Sequence, residues 1–372
     1  MVLGLLPAIR GGLGELAKTG QHTRLIDGYL KPYARAFEAV RYFSYLPESL
    51  DAYSTDPELA TRVRLYRGGG WHPWAYAFAM PFRYRIAFRG CAILRVFQVT
   101  GVIPALIAKR RFGVPFVTTY GFWYARLAHS SSTGALRRLV EALGLKAADA
   151  VIVTTPELSA HVAARVGAAK VYLIPNGVDT TRFAPAPRTA RRAKNVLYVG
   201  RLSEEKNLGA VVEAAARLAG RFELRLTFIG EGPAHSSLEA EARRRGVASA
   251  FLPVVDHRRL PAYLADADAF VLPSYTEGHP KALLEAMSAG VPCVASNVVG
   301  NRAVIEPGAT GFLFDLGDPG ALAEALARVL GDPEGARRLA ARARARVVER
   351  YDLGRLVAEE IELLKRLARA GE

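Results

Sequence analysis

The feature that most constrains this chain is a regular alternation of short apolar runs with longer, Ala-rich segments such as residues 208–220. Uninterrupted apolar runs of strand length are typical of parallel strands buried on both faces by helices, so the pattern predicts an α/β fold. The predicted strands are VLGLLPAI (2–9), VRLY (63–66), VPFVTTY (114–120), AVIVTT (150–155), VYLIP (171–175), NVLYVG (195–200), LRLTFIG (224–230), AFVLPS (269–274), PCVAS (292–296) and GFLF (311–314).

The length and one irregular segment indicate two domains. A chain of 372 residues is long for a single hydrophobic core. The Pro-rich, basic stretch FAPAPRTARRAKN, at 183–195, has no apolar periodicity, and we interpret it as the linker. After residue 320 the pattern is helical and ends in LVAEEIELLKRLAR (356–369).

The cysteine content and the apolar segments indicate where in the cell the protein is located. Cys91 and Cys293 are too few for a disulfide framework and too far apart for a metal motif, which favours a reducing cytosol. The start MVLGLLPAIRGG reads as a first strand rather than a signal peptide. We expect no transmembrane helix, since no apolar stretch of about 18 residues is free of charge.

The positive charge is concentrated in the first half. Residues 1–185 contain 23 Lys and Arg against 11 Asp and Glu, and the net charge of the whole chain is +15. No acidic residue occurs between Glu58 and Glu141, where 13 Arg and Lys occur. Such a field attracts phosphate-bearing partners, which include anionic lipid, nucleic acid and acidic metabolites.

Aromatic and basic residues alternate within residues 71–97, which hold eight aromatic side chains. This composition suits a membrane surface. A base-stacking platform uses similar residues, although no nucleic-acid motif is present, and an amphipathic core helix with solvated arginines is the third interpretation. The arginines concerned are Arg83, Arg85, Arg89 and Arg95.

A glycine loop follows the first strand in RGGLGELA (10–17). Gly12, Gly14 and Ala17 have the G-x-G-x-x-A spacing of a partial dinucleotide fingerprint. That fingerprint requires an acid at the end of the second strand, whereas Glu38 precedes RYFSYL. A diphosphate-binding loop and a plain turn therefore remain as alternatives to a nicotinamide site.

Two glutamates, Glu277 and Glu285, lie eight residues apart in EGHPKALLEAMSAGVP (277–292). Within one helix they would be roughly 80° apart around the axis and about 12 Å apart along it, which suits no shared site. Gly278 frees the backbone, and Pro280 fits the first helical position. We therefore expect Glu277 in a loop and a helix whose first N–H groups face an anion.

These motifs, with VYLIPNGVDTTRF (171–183), VGRLSEEKN (199–207) and FVLPS (270–274), resemble the second domain of the retaining glycosyltransferases of family 4. The match runs from Val171 to Phe314, and over residues 1–170 it rests on the glycine loop and on ADAVIVTTPE (148–157). The resemblance implies the α/β GT-B fold, in which two Rossmann-like domains face each other across a cleft. The implied domains are 1–184, joined by a C-terminal helix (352–372) that crosses back, and 185–351.

The resemblance also implies an activity. A hexose moves from a UDP- or GDP-sugar to an acceptor, with retention at the anomeric carbon and without a cofactor. Glu277 would contact the donor sugar and Glu285 the ribose, while Arg201 and Lys206 would neutralise the diphosphate. The remaining implied donor-binding residues are Gly12, Gly14, Gly278, His279, Pro280, Lys281 and Ala282.

The sequence departs from this family at two places. Many relatives carry a donor-contacting His near the end of an N-terminal strand, where this chain offers Tyr120 or, nine residues later, His129. Relatives also often carry a Glu where this chain has Ala303. The Asp266-Ala-Asp268 triplet matches the D-x-D of metal-dependent sugar transferases, but it lies at a helix end before a strand, where acids serve as turn residues. We expect no metal.

The resemblance implies that the N-terminal domain binds the acceptor and the C-terminal domain the nucleotide sugar. With that assignment, the positive charge of the first half predicts an anionic or lipid-linked acceptor and a peripheral position on the cytoplasmic face of the membrane. Two other functions fit the same features. A nucleotide-sugar epimerase would share the fold, and a basic nucleic-acid-binding protein would share the charge, although we expect no nucleic-acid partner.

Overall fold

The computed structural model describes residues 1–122, 132–187, 193–318 and 320–371. The chain forms two compact units: unit 1 comprises Met1–Pro175 and Gly354–Glu372, and unit 2 comprises Asn176–Leu353. Unit 2 therefore begins before the predicted linker. The reason is that Val178 forms a parallel bridge with Asp352 and that Phe183, in the predicted linker, is fully buried in the core of unit 2. Residues 188–192 of that linker lie outside the described residues.

Unit 1 is built on a sheet of seven parallel strands in the order β3-β2-β1-β4-β5-β6-β7. The strands are β1 Val2–Leu6, β2 Ala39–Phe43, β3 Val63–Tyr66, β4 Ile93–Val96, β5 Phe116–Tyr120, β6 Ala150–Val153 and β7 Val171–Leu173. The described helices that cover them are α1 Leu13–Ala17, α2 His22–Leu25, a π-helical turn at Ile26–Leu30, α3 Lys31–Ala36, α4 Pro57–Arg62, α5 Pro73–Arg83, α6 Arg85–Arg89, α7 Ile103–Phe112, α8 Ser132–Ala147 and α9 Pro156–Val166.

Unit 2 is built on six parallel strands in the order β10-β9-β8-β11-β12-β13. The strands are β8 Lys194–Val199, β9 Leu224–Ile229, β10 Ser249–Leu252, β11 Ala269–Leu272, β12 Cys293–Ser296 and β13 Phe312–Phe314. The helices are α10 Gly209–Leu218, α11 His235–Arg244, α12 Leu260–Ala265, α13 Lys281–Ser288, α14 Val299–Arg302, α15 Ala321–Gly331 and α16 Pro333–Tyr351, and α17 Leu353–Ala370 leads into unit 1.

The predicted α/β fold with parallel sheets is confirmed, and each predicted strand overlaps an observed one. Strands β2, β4 and β10 were missed. Strand β4 lies inside the aromatic and basic segment 71–97, which divides into two helices and a buried strand. Arg95 lies on that strand and is 4% exposed, so it does not belong to a surface patch, and this assignment was wrong.

Buried polar contacts hold the last helix, α17, against the sheet of unit 1. Glu360 accepts hydrogen bonds from Arg95 Nε at 2.5 Å and from the Tyr33 hydroxyl, and all three side chains are buried. The Arg95 guanidinium also donates to Thr119 Oγ1 at 2.8 Å. These bonds satisfy the charge of an arginine that the strand pattern alone would place in an apolar core.

Candidate functional site

The strand order of unit 2 indicates where a ligand can bind. From β8 the chain passes to β9 on one side, whereas β11 pairs with β8 on the other side. In open α/β sheets, ligands bind beyond the carboxyl ends of the strands at such a reversal. The loops that follow β8 and β11 therefore form the candidate site.

A charged pair joins these two loops. Lys206 Nζ, in a turn after β8, lies 2.7 Å from Glu277 Oε1, in the loop after β11. The Ser274 hydroxyl donates to the same carboxylate oxygen at 2.7 Å. The Lys206 and Glu277 side chains are 21% and 12% exposed, so both are sheltered yet open to a ligand.

Further bonds hold the loops in register. Asn207, which has a left-handed backbone conformation (φ 52°), donates from its amide to the carbonyl of Pro273 at 3.3 Å. The N–H of Tyr275 donates to the carbonyl of Glu205 at 2.9 Å. Arg201 lies in the same loop as Lys206 with an exposed side chain, and its carbonyl accepts the Tyr198 hydroxyl. The two predicted cations thus lie in one loop, and the structure places Glu277 against Lys206.

Helix α13 begins one residue later than the sequence predicts. Pro280 is the N-cap, with φ −75° and an extended ψ of 112°, rather than the first helical residue. An N-cap has non-helical angles while its carbonyl accepts the first helical bond, here from Leu284 N–H at 3.3 Å. In the described part of the chain no side chain caps this end, so the first turn, with Lys281 and Ala282, presents N–H groups suited to an anion.

His279 has a buried ring. The ring packs edge-on against Tyr351 at 5.2 Å, and its carbonyl accepts the Asn176 amide at 2.7 Å. Burial, with a smaller contribution from the charge of Lys281, lowers the pKa of His279 to about 3. The imidazole is therefore neutral at physiological pH, and its buried packing anchors the loop that contains Glu277.

Glu285 is also buried. It is 3% exposed, and its carboxylate lies 2.8 Å from His257 Nε2, whose ring packs against Phe183. His257 was not among the predicted site residues. No local sequence pattern marks His257, because its contact with Glu285 joins the turn His257–Arg259 to a separate helix, Lys281–Ser288.

Gly300 is a second residue that the sequence analysis missed. A Cβ atom at this position would lie 2.4 Å from the Gly278 carbonyl oxygen and 2.5 Å from that of Glu277. Only glycine lets helix α14 approach the Glu277 loop so closely. No local pattern in residues 299–301 marks this requirement, because it comes from the backbone of a separate loop.

In unit 1 the glycine loop encloses a carboxylate of its own chain. Glu48 accepts hydrogen bonds from the N–H groups of Leu13 at 2.9 Å and Gly14 at 2.7 Å, and from Ser44. A Cβ atom on Gly12 would lie 2.6 Å from the Glu48 carboxylate, so the glycine makes this approach possible. The loop does bind an anionic group, and that group is Glu48 in this structure.

The nicotinamide interpretation is not favoured by the position of Glu38. This residue precedes β2, at the amino end of the strand, and its carboxylate pairs with the N-terminal ammonium at 3.3 Å. An acid that holds a ribose has to lie at the opposite end of that strand.

Tyr120 ends strand β5 and is fully buried, with its ring stacked 6.0 Å from that of His161. Burial raises the pKa of Glu141, and a hydrogen bond with Tyr120 opposes this rise. The alternative residue, His129, lies outside the described residues.

The outer surface of helices α5 and α6 carries both charge and apolar area. Arg83, Arg85 and Arg89 are exposed. The large apolar side chains exposed beside them are Trp71, Phe78, Phe82 and Ile86, of which Ile86 is 86% exposed. None of the described helices is long and apolar enough to span a bilayer. Likewise, the described residues contain no cluster of three or more His, Cys, Asp or Glu that could hold a metal ion.

Comparisons with known proteins agree with this architecture. Residues 30–182 match the family model Glycosyltransferase Family 4, and residues 180–346 match Glycosyl transferases group 1. The glycogen synthase of Mycobacterium tuberculosis is 34% identical over 258 residues, which are 67% of this chain and 62% of that protein. The chain thus spans less than two thirds of this relative.

Two solved structures share the fold. Sucrose-phosphate synthase of Thermosynechococcus elongatus superposes with a TM-score of 0.84 at 24% identity, over 100% of both chains. HepE of Anabaena, in complex with UDP and glucose, superposes with a TM-score of 0.77 at 18% identity, over 98% of this chain and 99% of that one.

Proposed function

Because the chain belongs to the family 4 glycosyltransferases, we propose that it transfers a hexose from a UDP- or GDP-sugar to an acceptor, with retention and without a metal ion. The observation that carries this proposal is the Lys206–Glu277 pair at the strand reversal of unit 2, beside the uncapped end of α13. HepE, which has the same fold, was solved with UDP and glucose.

The chemistry follows from the charges in this site. When the bond between sugar C1 and the diphosphate oxygen breaks, negative charge develops on the diphosphate. Lys206, held by Glu277, and the first N–H groups of α13 are fixed donors for that charge, and fixed donors need no reorganisation as the reaction proceeds. The exposed side chain of Arg201 adds a further positive charge from the same loop. Glu277, which already accepts from Lys206, has a second oxygen for a sugar hydroxyl, and Glu285 holds the ribose.

Unit 2 in this proposal binds the donor and unit 1 binds the acceptor. The acceptor is anionic or lipid-linked, and the protein acts as a peripheral protein on the cytoplasmic face of the membrane. The support is the excess of positive charge in residues 1–185 and the exposed apolar side chains of α5 and α6. Apolar anchors beside arginines suit an anionic bilayer surface.

Product analysis tests the reaction. We expect sugar release from one nucleotide sugar to depend on an added acceptor, to persist in EDTA, and to give a product with the anomeric configuration of the donor in NMR spectra. Isomerised donor without acceptor would instead identify an epimerase. Inversion at the anomeric carbon, or complete loss of activity in EDTA, would contradict the proposal.

Flotation with liposomes tests the membrane contact. The protein should float with vesicles that contain phosphatidylglycerol and float less with phosphatidylcholine alone. Equal and negligible flotation with both would contradict a peripheral role, without bearing on donor binding in unit 2.

A further inference from the structure

A groove of about 910 Å³ lies along the outer edge of the unit 1 sheet. Strand β3 is the last strand of that sheet, so one of its edges is not paired within the sheet. Arginine dominates the charged lining of the groove. The arginines are Arg41, Arg62, Arg64 and Arg67.

The charges of two of these arginines are not neutralised by the protein. Arg64 and Arg67 are exposed, and within the described ranges neither has an acidic partner at ion-pair distance. The acid in the lining, Glu48, has its carboxylate bound by the N–H groups of Leu13 and Gly14. The groove therefore presents unpaired guanidinium groups, which match phosphate oxygens in geometry and charge.

Aromatic rings hold this edge against the apolar surface of the helices. The Arg64 guanidinium carbon lies 5.4 Å from the centre of the Tyr66 ring, and the Tyr66 ring lies 5.1 Å from that of Tyr84. Arg83, in turn, lies 5.6 Å from the Tyr84 ring. The Tyr84 hydroxyl donates to the Arg67 carbonyl at 2.6 Å. Charge on β3 and charge on α5 thus belong to one connected surface.

Apolar side chains border this surface. Tyr84 lies between α5 and α6, and the chain places exposed Phe82 and Ile86 on either side of it. We propose that the β3 groove binds the phosphate groups of anionic phospholipids while Phe78, Phe82 and Ile86 enter the bilayer. This inference rests on the peripheral membrane role proposed above. It assigns the lipid headgroup site to the edge of strand β3, which is distant in sequence from Lys206 and Glu277, the proposed sugar-donor site.

The side chains favour a bilayer over a nucleic acid. Single-stranded nucleic acid stacks its bases on exposed aromatic faces. The two rings that line the groove, Tyr66 and Tyr84, are half-buried and engaged with each other. The exposed rings of Phe78 and Phe82 lie outside that lining, and the most exposed apolar side chain, Ile86, is aliphatic. An aliphatic side chain next to guanidinium groups gains energy by entering lipid and has no stacking partner in a base.

The experiment compares vesicle partitioning of the full chain and two charge-matched double variants. Arg64→Gln with Arg67→Gln removes two of the four groove arginines, both exposed and without an acidic partner in the described ranges. Arg225→Gln with Arg337→Gln removes two exposed charges from unit 2. Each basic residue at an anionic surface contributes about fivefold to binding, so the groove variant should partition about 25-fold more weakly into vesicles of phosphatidylcholine with phosphatidylglycerol. The control variant should stay within about threefold of wild type.

Calorimetry with UDP and GDP on the same samples separates this inference from the proposed enzyme function. Suppose that the groove variant partitions like wild type while the double variant Phe78→Ser with Ile86→Ser no longer partitions. That result would overturn the groove as the headgroup site and would leave the apolar side chains as the membrane contact. If the arginines only keep the β3 edge from pairing with another chain, the groove variant would self-associate and still bind vesicles. The inference would also be overturned if wild type does not bind vesicles but binds single-stranded RNA or inorganic phosphate, and if the groove variant loses that binding.

Discussion

The buried contact between Glu360 and Arg95 yields a quantitative prediction about unit 1. Glu360→Gln preserves the shape of the side chain but leaves the guanidinium, which is 4% exposed, without a counter-charge. Breaking one partner of a buried ion pair costs about 3–5 kcal/mol. Since a domain has about 5–15 kcal/mol of stability, unit 1 should lose about a fifth or more of its free energy of unfolding.

Tryptophan fluorescence in urea measures this loss selectively, because all three tryptophans, at 71, 74 and 123, lie within residues 1–175. Glu362→Gln is the matched control on the same helix. Its carboxylate is 74% exposed and lies 3.5 Å from Lys365, so its loss should change stability by less than about 1 kcal/mol. A Glu360→Gln variant within about 1 kcal/mol of wild type would refute the reasoning that the ion pair holds α17 in place.

Three further predictions concern unit 2. Glu277→Gln removes the negative charge that pairs with the Lys206 ammonium, although the amide oxygen can still accept a hydrogen bond. Transfer should therefore fall by about 100-fold or more in a donor-consumption assay while UDP or GDP binding is retained. Parallel loss of nucleotide binding would contradict these separate roles. His257→Phe keeps a ring beside Phe183 but removes the hydrogen-bond donor to Glu285. Calorimetry should therefore show about 10-fold weaker nucleotide binding and a smaller preference for ribonucleotides over deoxyribonucleotides. An unchanged preference would contradict the ribose role of Glu285. Burial lowers the pKa of His279 to about 3 from an ordinary 6.5, so between these pH values the unfolded chain binds a proton that the folded chain excludes. As the pH falls from 6.5 towards 3, the free energy of unfolding should therefore fall by up to about 1.4 kcal/mol per pH unit more in wild type than in His279→Phe. Equal pH dependence of the two proteins would contradict the burial of the ring.

The parallel strands could be predicted from the sequence because burial on both faces leaves unbroken apolar runs, as in AVIV of β6. Strand β4 could not be predicted, since Arg95 interrupts its apolar run and the partner that neutralises it, Glu360, lies in the last helix. A contact between residues so distant in sequence leaves no local pattern.

Within the site, Glu277, Lys206 and Arg201 could be predicted because each follows a strand in a loop where parallel sheets bind ligands. The contacts of Glu48 with the glycine loop and of His257 with Glu285 could not. Both depend on side chains brought together by packing of separate elements. Gly300 shows the same limit, because the need for a glycine there is explained only by the backbone of the Glu277 loop.

Nucleotide binding is the most direct test of the donor site in unit 2. We would titrate UDP, GDP and ADP into wild type and into Arg201→Ala, Lys206→Ala and Glu285→Ala by calorimetry, with circular dichroism to verify folding. The account predicts that UDP or GDP binds wild type and that each substitution weakens this binding by about 10-fold or more, the effect of a lost hydrogen bond to a charged group. A folded wild type that binds none of the three, or equal affinity in all variants, would contradict it.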